Sequence, residues 1–221
     1  MNIVREPRKS FAAEVVPDGA VTIKAPVQAG DAEINAFIER KTKWIEKQQA
    51  YFKQFNRPEQ FEIISGGSAL YLGRQYQIII EKAPLKNAVR VLKNKIYILS
   101  GAPQKTAQIN ADFQKWLLRR AEDVFAERLR ECLKSFPDLP PPVLKIRKLK
   151  KRWGSYLKKH EIILNPDLIK ANKKSIDYVI FHELCHAYFP NHSDGFYNLL
   201  ATKMPDWKQV KERFELKLLS Y

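Results

Sequence analysis

The chain has little of what would lock a fold covalently. Its 221 residues contain two cysteines, Cys132 and Cys185, neither clustered nor at metal-knuckle spacing. That excludes a disulfide framework and a structural zinc knuckle, and a reducing cytoplasm fits best. No stretch approaches the roughly 20 apolar residues that cross a bilayer, and residues 1–10 are short and charged. Neither a membrane span nor an export signal is read. Gly-rich phosphate loops, internal repeats and low-complexity tracts are also missing.

What is present suffices for a folded core. With 45% hydrophobic and 29% charged residues the chain can bury its own core. The 39 Lys and Arg outnumber the 24 Asp and Glu, for a net charge of +15. Such an excess attracts nucleic acid, nucleotide or acidic surfaces, or simply forms a solvated basic face.

Pattern along the chain predicts an α+β fold. Residues 11–16 and 21–25 around Pro17-Asp18-Gly19 read as a hairpin. After Asp31 as N-cap, Ile34, Phe37, Ile38, Ile45, Phe52 and Phe55 recur at helical spacing, predicting a helix over 31–55. Two more hairpins are read around Ser65-Gly66-Gly67 and Lys93-Asn94-Lys95. This makes 1–103 a strand-rich N-terminal lobe. Ile109, Phe113, Trp116, Leu117, Val124, Leu129 and Phe136 mark a long helix over 104–136, which the prolines of 137–142 stop. The segment 104–142 is therefore read as connecting helix and boundary. Beyond it, 143–149 and 161–164 read as strands flanking Arg152-Trp153-Gly154-Ser155-Tyr156, within a C-terminal lobe spanning 143–221.

A helix over 175–189 is apolar on almost every side, so its polar residues need a reason. They are His182, Glu183 and His186. Positions i and i+4 lie one turn apart on nearly the same face, where two imidazoles can grip one ion. Glu183 lies beside them, placed to take a proton from metal-bound water. Pro190 can end the helix and let the chain bring His192 in as third ligand. Three neutral imidazoles leave a fourth tetrahedral position open, the pattern of a catalytic zinc with one ion per chain.

Other groups near the site have plainer readings. Cys185 points about 100° away from His186 and is a core cysteine; His160, in a turn beside Lys158 and Lys159, is exposed and uninvolved. Asp177, Asp194 and Asp206 are candidates to accept the second N–H of a ligand histidine. Tyr156, Tyr188 and Tyr197 could donate to an oxyanion but read more simply as packing residues.

Arg152-Trp153-Gly154-Ser155, Ile163-Leu164-Asn165, Ile176-Asp177-Tyr178-Val179, His182 to His186, Asn191-His192-Ser193 and Met204-Pro205-Asp206-Trp207 resemble, in order and spacing, the YgjP-like metallopeptidase family, relatives of the SprT and WLM zinc peptidases. Ala25-Pro26, Lys43-Trp44-Ile45 and the run from Tyr71 to Tyr76 extend the resemblance over nearly the whole chain. It implies a small zincin-like C-terminal lobe with antiparallel strands, zinc ligands His182, His186 and His192, and Glu183 as general base. Tyr156 departs from the family, which usually has Cys there. By analogy with zincins, the strand leading into Tyr156 would hold an extended peptide, making Arg152, Trp153 and Tyr156 the candidate substrate residues.

The expected activity is zinc-dependent peptide hydrolysis on a peptide or protein substrate. Two other readings use the basic run Arg147, Lys148, Lys150, Lys151, Arg152, Lys158 and Lys159. One is metal-dependent hydrolysis of nucleoside triphosphates. The other is a nucleic-acid-associated peptidase or binding module, holding a strand by phosphate contacts and by stacking on Trp153 and Tyr156.

Overall fold

A computed structural model describes residues 1–16, 19–53, 63–83, 87–103, 105–149 and 152–219, apart from the side chains of 47, 50–53 and 215–219. Pro17, Asp18, Phe55, Lys150 and Lys151, and the Phe52 side chain, lie outside this description. The chain divides into two compact units, Met1–Glu59 with Leu219–Tyr221, and Gln60–Leu218.

In the first unit, β2 (Ala12–Val15) and β3 (Val21–Pro26) form the expected antiparallel pair. A strand the sequence reading omitted, β1 (Asn2–Glu6), adds in parallel to the other side of β3. Helix α1 (Asp31–Lys53) starts at Asp31 itself, and Glu33 Oε2 accepts the Gly30 N–H at 2.9 Å. Val21, Ile23 and Ala25 alternate inward on β3, and Ile34, Phe37 and Ile45 of α1 supply the rest of the buried apolar groups.

The second unit opens with a four-stranded sheet, ordered β4 (Ser68–Tyr71), β5 (Arg74–Lys82), β7 (Lys95–Ser100), β6 (Ala88–Leu92). The 93–94 turn joins β6 to β7 as expected. The other hairpin turns at Leu72-Gly73, not at 65–67, with φ of 46° and 78°. Residues 65–67 instead carry the chain into β4. The Leu72 and Gly73 N–H groups donate to Ile169 O and Lys170 O, both at 2.9 Å. That docking explains why a non-glycine residue accepts a left-handed conformation there.

Helix α2 (Thr106–Leu133) buries Ile109, Phe113, Leu117, Ala121, Val124, Phe125, Leu129 and Cys132. It packs against β6 and β7, and also against α3 (Lys173–Cys185) and β8 (Val143–Ile146). One continuous core results, running from Ile78, Ile96 and Ile98 through α2 to Ile162, Ile176 and Phe196. The sequence reading placed the boundary around 104–142. The structure gathers residues on both sides of that segment into one unit, because α2 is apolar around enough of its surface to serve both flanks.

The other sheet described in this unit is three-stranded, with the order β8, β10 (Glu161–Leu164), β9 (Gly154–Leu157). It is mixed, not purely antiparallel: β10 runs parallel to β8 and antiparallel to β9. Strand β9 is an edge strand that includes Tyr156 and packs against α3. After a 3₁₀ turn at Pro166–Lys170 come α3, α4 (Asp194–Lys203) and α5 (Trp207–Leu219). The regular part of α3 ends at Cys185, before the expected 189. His186, Ala187 and Tyr188 each donate to the carbonyl three residues back, which tightens the last turn ahead of Pro190.

Candidate metal centre

Helix α3 is set by Asn172, whose side chain caps it by accepting the Ser175 N–H at 2.9 Å. Three turns on, His182 and Glu183 stand in its last regular turn, and His186 forms its C-cap. The chain then reverses through 187–192 and enters α4, where the Ser193 side chain is the N-cap. This reversal places His192 against the end of α3. The ligand atoms of His182, His186 and His192 all lie within 4.8 Å of one another.

The finer geometry suits one ion. His192 Nε2 and His182 Nε2 are 3.0 Å apart. Two nitrogens bound at about 2.0–2.1 Å in a tetrahedral zinc site stand about 3.3 Å apart, so only a slight spreading is needed. His186 Nδ1 lies 3.0 Å from Phe189 O, a contact in which Nδ1–H donates and Nε2 is left to ligate. The second contact of this histidine is thus a backbone carbonyl made available by the tightened helix end. None of the three aspartates suggested for that role is seen to serve it. Asp177 forms a two-bond pair with Arg128 at 2.6 and 2.8 Å, and Asp206 pairs with Lys174.

Burial tunes the group. It drives His182 down to about 3, helped by the positive potential of His186, His192 and Lys211. His192 is lowered by burial, His186 and Lys211. These two imidazoles are therefore neutral at pH 7, ready to ligate without losing a proton first. Glu183, only 6% exposed, is pushed up to about 7 by burial, against the opposing pull of the Tyr156 backbone N–H and the Arg152 charge.

Several residues that complete the site were given no role by sequence reasoning. The buried Phe196 ring lies under all three imidazoles, with centroid distances of 4.9, 4.7 and 4.8 Å to His182, His186 and His192. A Cβ on Gly154 would stand 2.7 Å from Glu183 Cγ and 2.8 Å from Oε1, so the carboxylate arm occupies the space a side chain would need. Buried Asn165 fixes the loop before β9, donating from Nδ2 to Leu149 O at 2.8 Å and Arg152 O at 3.3 Å. Its own N–H donates to Trp153 O at 2.8 Å. All three depend on approaches between distant segments, for which the sequence carries no local signal.

The candidate substrate residues separate. Tyr156 and Arg152 both act on Glu183, through a backbone N–H and a charge respectively. Trp153 packs edge-on against Phe214 at 5.4 Å. The Tyr156 hydroxyl lies 3.1 Å from Nδ1 of the exposed His160. Tyr197 stacks between His192 and Trp207, and Tyr188 stacks on Phe136. Cys185 is fully buried, its thiol pushed up to about 12 by burial, as a core cysteine should be. One member of the basic run, Lys148, pairs with Asp167, which also pairs with Lys170. Among the described residues no helix is long and apolar enough to cross a membrane.

Among solved structures, the metallopeptidase zymogen of Pyrococcus abyssi abylysin is 24% identical with a TM-score of 0.39, over 42% of this chain and 94% of that one. The metallopeptidase zymogen of Methanocaldococcus jannaschii jannalysin is 22% identical with a TM-score of 0.38, over 42% and 96%. No match is found among curated proteins. A model of the YgjP-like metallopeptidase domain matches residues 9–217, nearly the full length, and the chain belongs to the YgjP-like family.

Proposed function

We propose that the protein is a zinc metallopeptidase in which His182, His186 and His192 hold one ion and Glu183 is the general base. The observation that carries this reading is the convergence of three imidazoles within 4.8 Å beside one buried carboxyl group. Two neutral imidazoles and a third anchored through Phe189 O fit zinc, a borderline ion that binds nitrogen readily. When bound, zinc would polarise the scissile carbonyl and lower the pKa of a water molecule.

The remaining work belongs to the chain. Glu183 takes a proton from the attacking water and passes it to the leaving amine as the peptide bond breaks. Burial raises the proton affinity of this carboxyl, which suits it to hold the proton between the two halves of that transfer. The Tyr156 N–H braces the carboxylate, and Gly154 leaves room for its arm. Phe196 fixes the planes of the imidazoles. Edge strand β9 offers backbone groups to an extended peptide, with Arg152 and Tyr156 beside the reacting centre. A peptide or protein is accordingly the substrate proposed.

Glu183→Gln tests the assignment. The variant should retain zinc and lose roughly 10²–10⁴-fold in peptide turnover. Unchanged turnover with zinc in place would remove Glu183 from the mechanism.

A further inference from the structure

The open side of edge strand β9 has a register that the hydrogen bonds fix. The Asn165 N–H donates to Trp153 O at 2.8 Å, so 153 and 165 form a bonded pair at the start of the antiparallel β9–β10 ladder. Bonded and non-bonded pairs alternate along such a ladder, which turns the N–H and C=O groups of Gly154 and Tyr156 away from β10. Glu183 meets the strand at the same place: its Oε1 lies 2.8 Å from where a Cβ on Gly154 would stand. Arg152 therefore precedes the stretch that faces the Glu183 carboxyl, and Lys158 and Lys159 follow it, just past the end of β9 at Leu157.

Charge is lopsided around this strand. Residues 143–170 contain nine Lys and Arg but only two acids, Glu161 and Asp167. Both acids are taken: Glu161 pairs with Lys145 at 2.7 Å, and Asp167 pairs with Lys148 and Lys170. Arg152, Lys158 and Lys159 are exposed and take part in none of these pairs. The Arg152 guanidinium donates to Ser155 Oγ at 3.4 Å, a neutral contact that keeps it beside β9 without offsetting its charge. A peptide strand laid along this edge advances about 3.3 Å per residue, as β9 does, and so meets a cation at each end. Resting on the peptidase reading above, we propose that β9 selects acidic peptides, with Arg152 at one end and Lys158 and Lys159 at the other receiving Asp or Glu side chains that flank the scissile bond. The two acidic positions would stand about six residues apart, the spacing of Arg152 and Lys158.

The test uses the zinc-loaded full chain carrying Glu183→Gln, so that peptides bind without turnover. Calorimetry would compare end-blocked peptides of one length: uncharged, with two Glu at the proposed spacing, and with two adjacent Glu. About tenfold tighter binding of the spaced peptide over the uncharged one is expected, since exposed ion pairs each contribute a few-fold. The adjacent-Glu peptide, with the same charge, should gain less. Adding Lys158→Glu and Lys159→Glu should cancel the gain and transfer it to a spaced peptide with Glu at one end and Lys at the other. Which end carries the Lys then gives the direction of the bound strand. No preference for the spaced peptide, an equal gain for adjacent Glu, or a preference that survives the charge reversal overturns the proposal. An oligonucleotide that binds more tightly than every peptide, and is weakened by the same reversal, would assign the cations to nucleic acid and overturn it as well.

Zinc content and a thermal melt of each variant check that the exchanges leave the fold and the centre in place. Peptide turnover by the unmodified enzyme is scored separately. Its absence would sink the peptidase reading while leaving the spacing dependence legible from binding alone. Where the spaced peptide is cleaved, the broken bond should lie between its two Glu residues, and cleavage outside them overturns the proposal.

Discussion

The two units bury different kinds of residue. In Met1–Glu59 the described buried side chains are all apolar: Val21, Ile23, Ala25, Ala29, Ile34, Phe37 and Ile45. In Gln60–Leu218 the core also contains Ser100, Asn165, Ser175 and Glu183. Asn165 is held by hydrogen bonds through its side chain and backbone, whereas burial works against the charge of Glu183. A carboxyl held in that condition, beside three convergent imidazoles, is the feature that makes this a candidate active site. The first unit shows what the same chain builds when only packing is at stake.

The largest separation between the units is expected from Phe196 and Phe37. Phe196→Ala should cost about 3–5 kcal/mol in denaturant unfolding and weaken zinc binding, since it removes the floor under three imidazoles. Phe37→Ala should destabilise its own unit and leave zinc affinity unchanged. Equal zinc affinity in the two variants would remove Phe196 from the site.

Ion pairs should separate next. Arg128 and Asp177 are 21% and 16% exposed, against 47% and 89% for Arg5 and Asp31. Asp177→Asn should cost about 1–3 kcal/mol, because the half-buried guanidinium keeps only a neutral partner. Asp31→Asn should scarcely move the unfolding midpoint. Similar midpoints for the two variants would show that the α2–α3 pair is not a structural tie.

Glycines give a subtler contrast. Gly154→Ala must displace Glu183, for about 1–3 kcal/mol of overpacking and roughly a hundredfold loss in turnover. At Gly30 the nearest atom to an added Cβ is 3.9 Å away, so Gly30→Ala should be near neutral in both assays. Full turnover in Gly154→Ala would mean that Glu183 has another place to sit.

An effect of a different kind is expected in the pH dependence of the metal-free protein. Glu183 rises from 4.5 to about 7 on folding, so its contribution is full below pH 4.5 and is lost as pH rises through 7. His182 falls from 6.5 to about 3, so its contribution is full above pH 6.5 and is lost as pH falls towards 3. Glu183→Gln removes the first slope and leaves the second. Thermal melts should therefore favour the variant over the unmodified chain more at pH 8 than at pH 4. An equal difference at both values would contradict the burial of a titrating carboxyl.

Sequence reading reached the parts of this molecule governed by local periodicity. The apolar stripe of α2, the alternation on β3 and the i, i+4 placement of His182 and His186 are statements about neighbours along the chain. His192 was legible because Pro190 announces a chain reversal. Strand β1 was missed because its parallel partner β3 lies beyond β2, and residues 2–6 show no clean alternation. The β4–β5 turn was misplaced because Gly66-Gly67 looks more turn-like than Leu72-Gly73, which is held by docking onto Ile169 and Lys170. Gly154, Asn165 and Phe196 gain their meaning only once distant segments meet.

Metal content per chain, measured after zinc reconstitution on the unmodified protein and His192→Ala side by side, tests the central claim most directly. The account predicts about one zinc in the unmodified chain, as a three-histidine site should hold, and loss of most of it in the variant, while both remain folded. No zinc in the unmodified protein, or equal zinc in the two, would contradict a centre built from His182, His186 and His192.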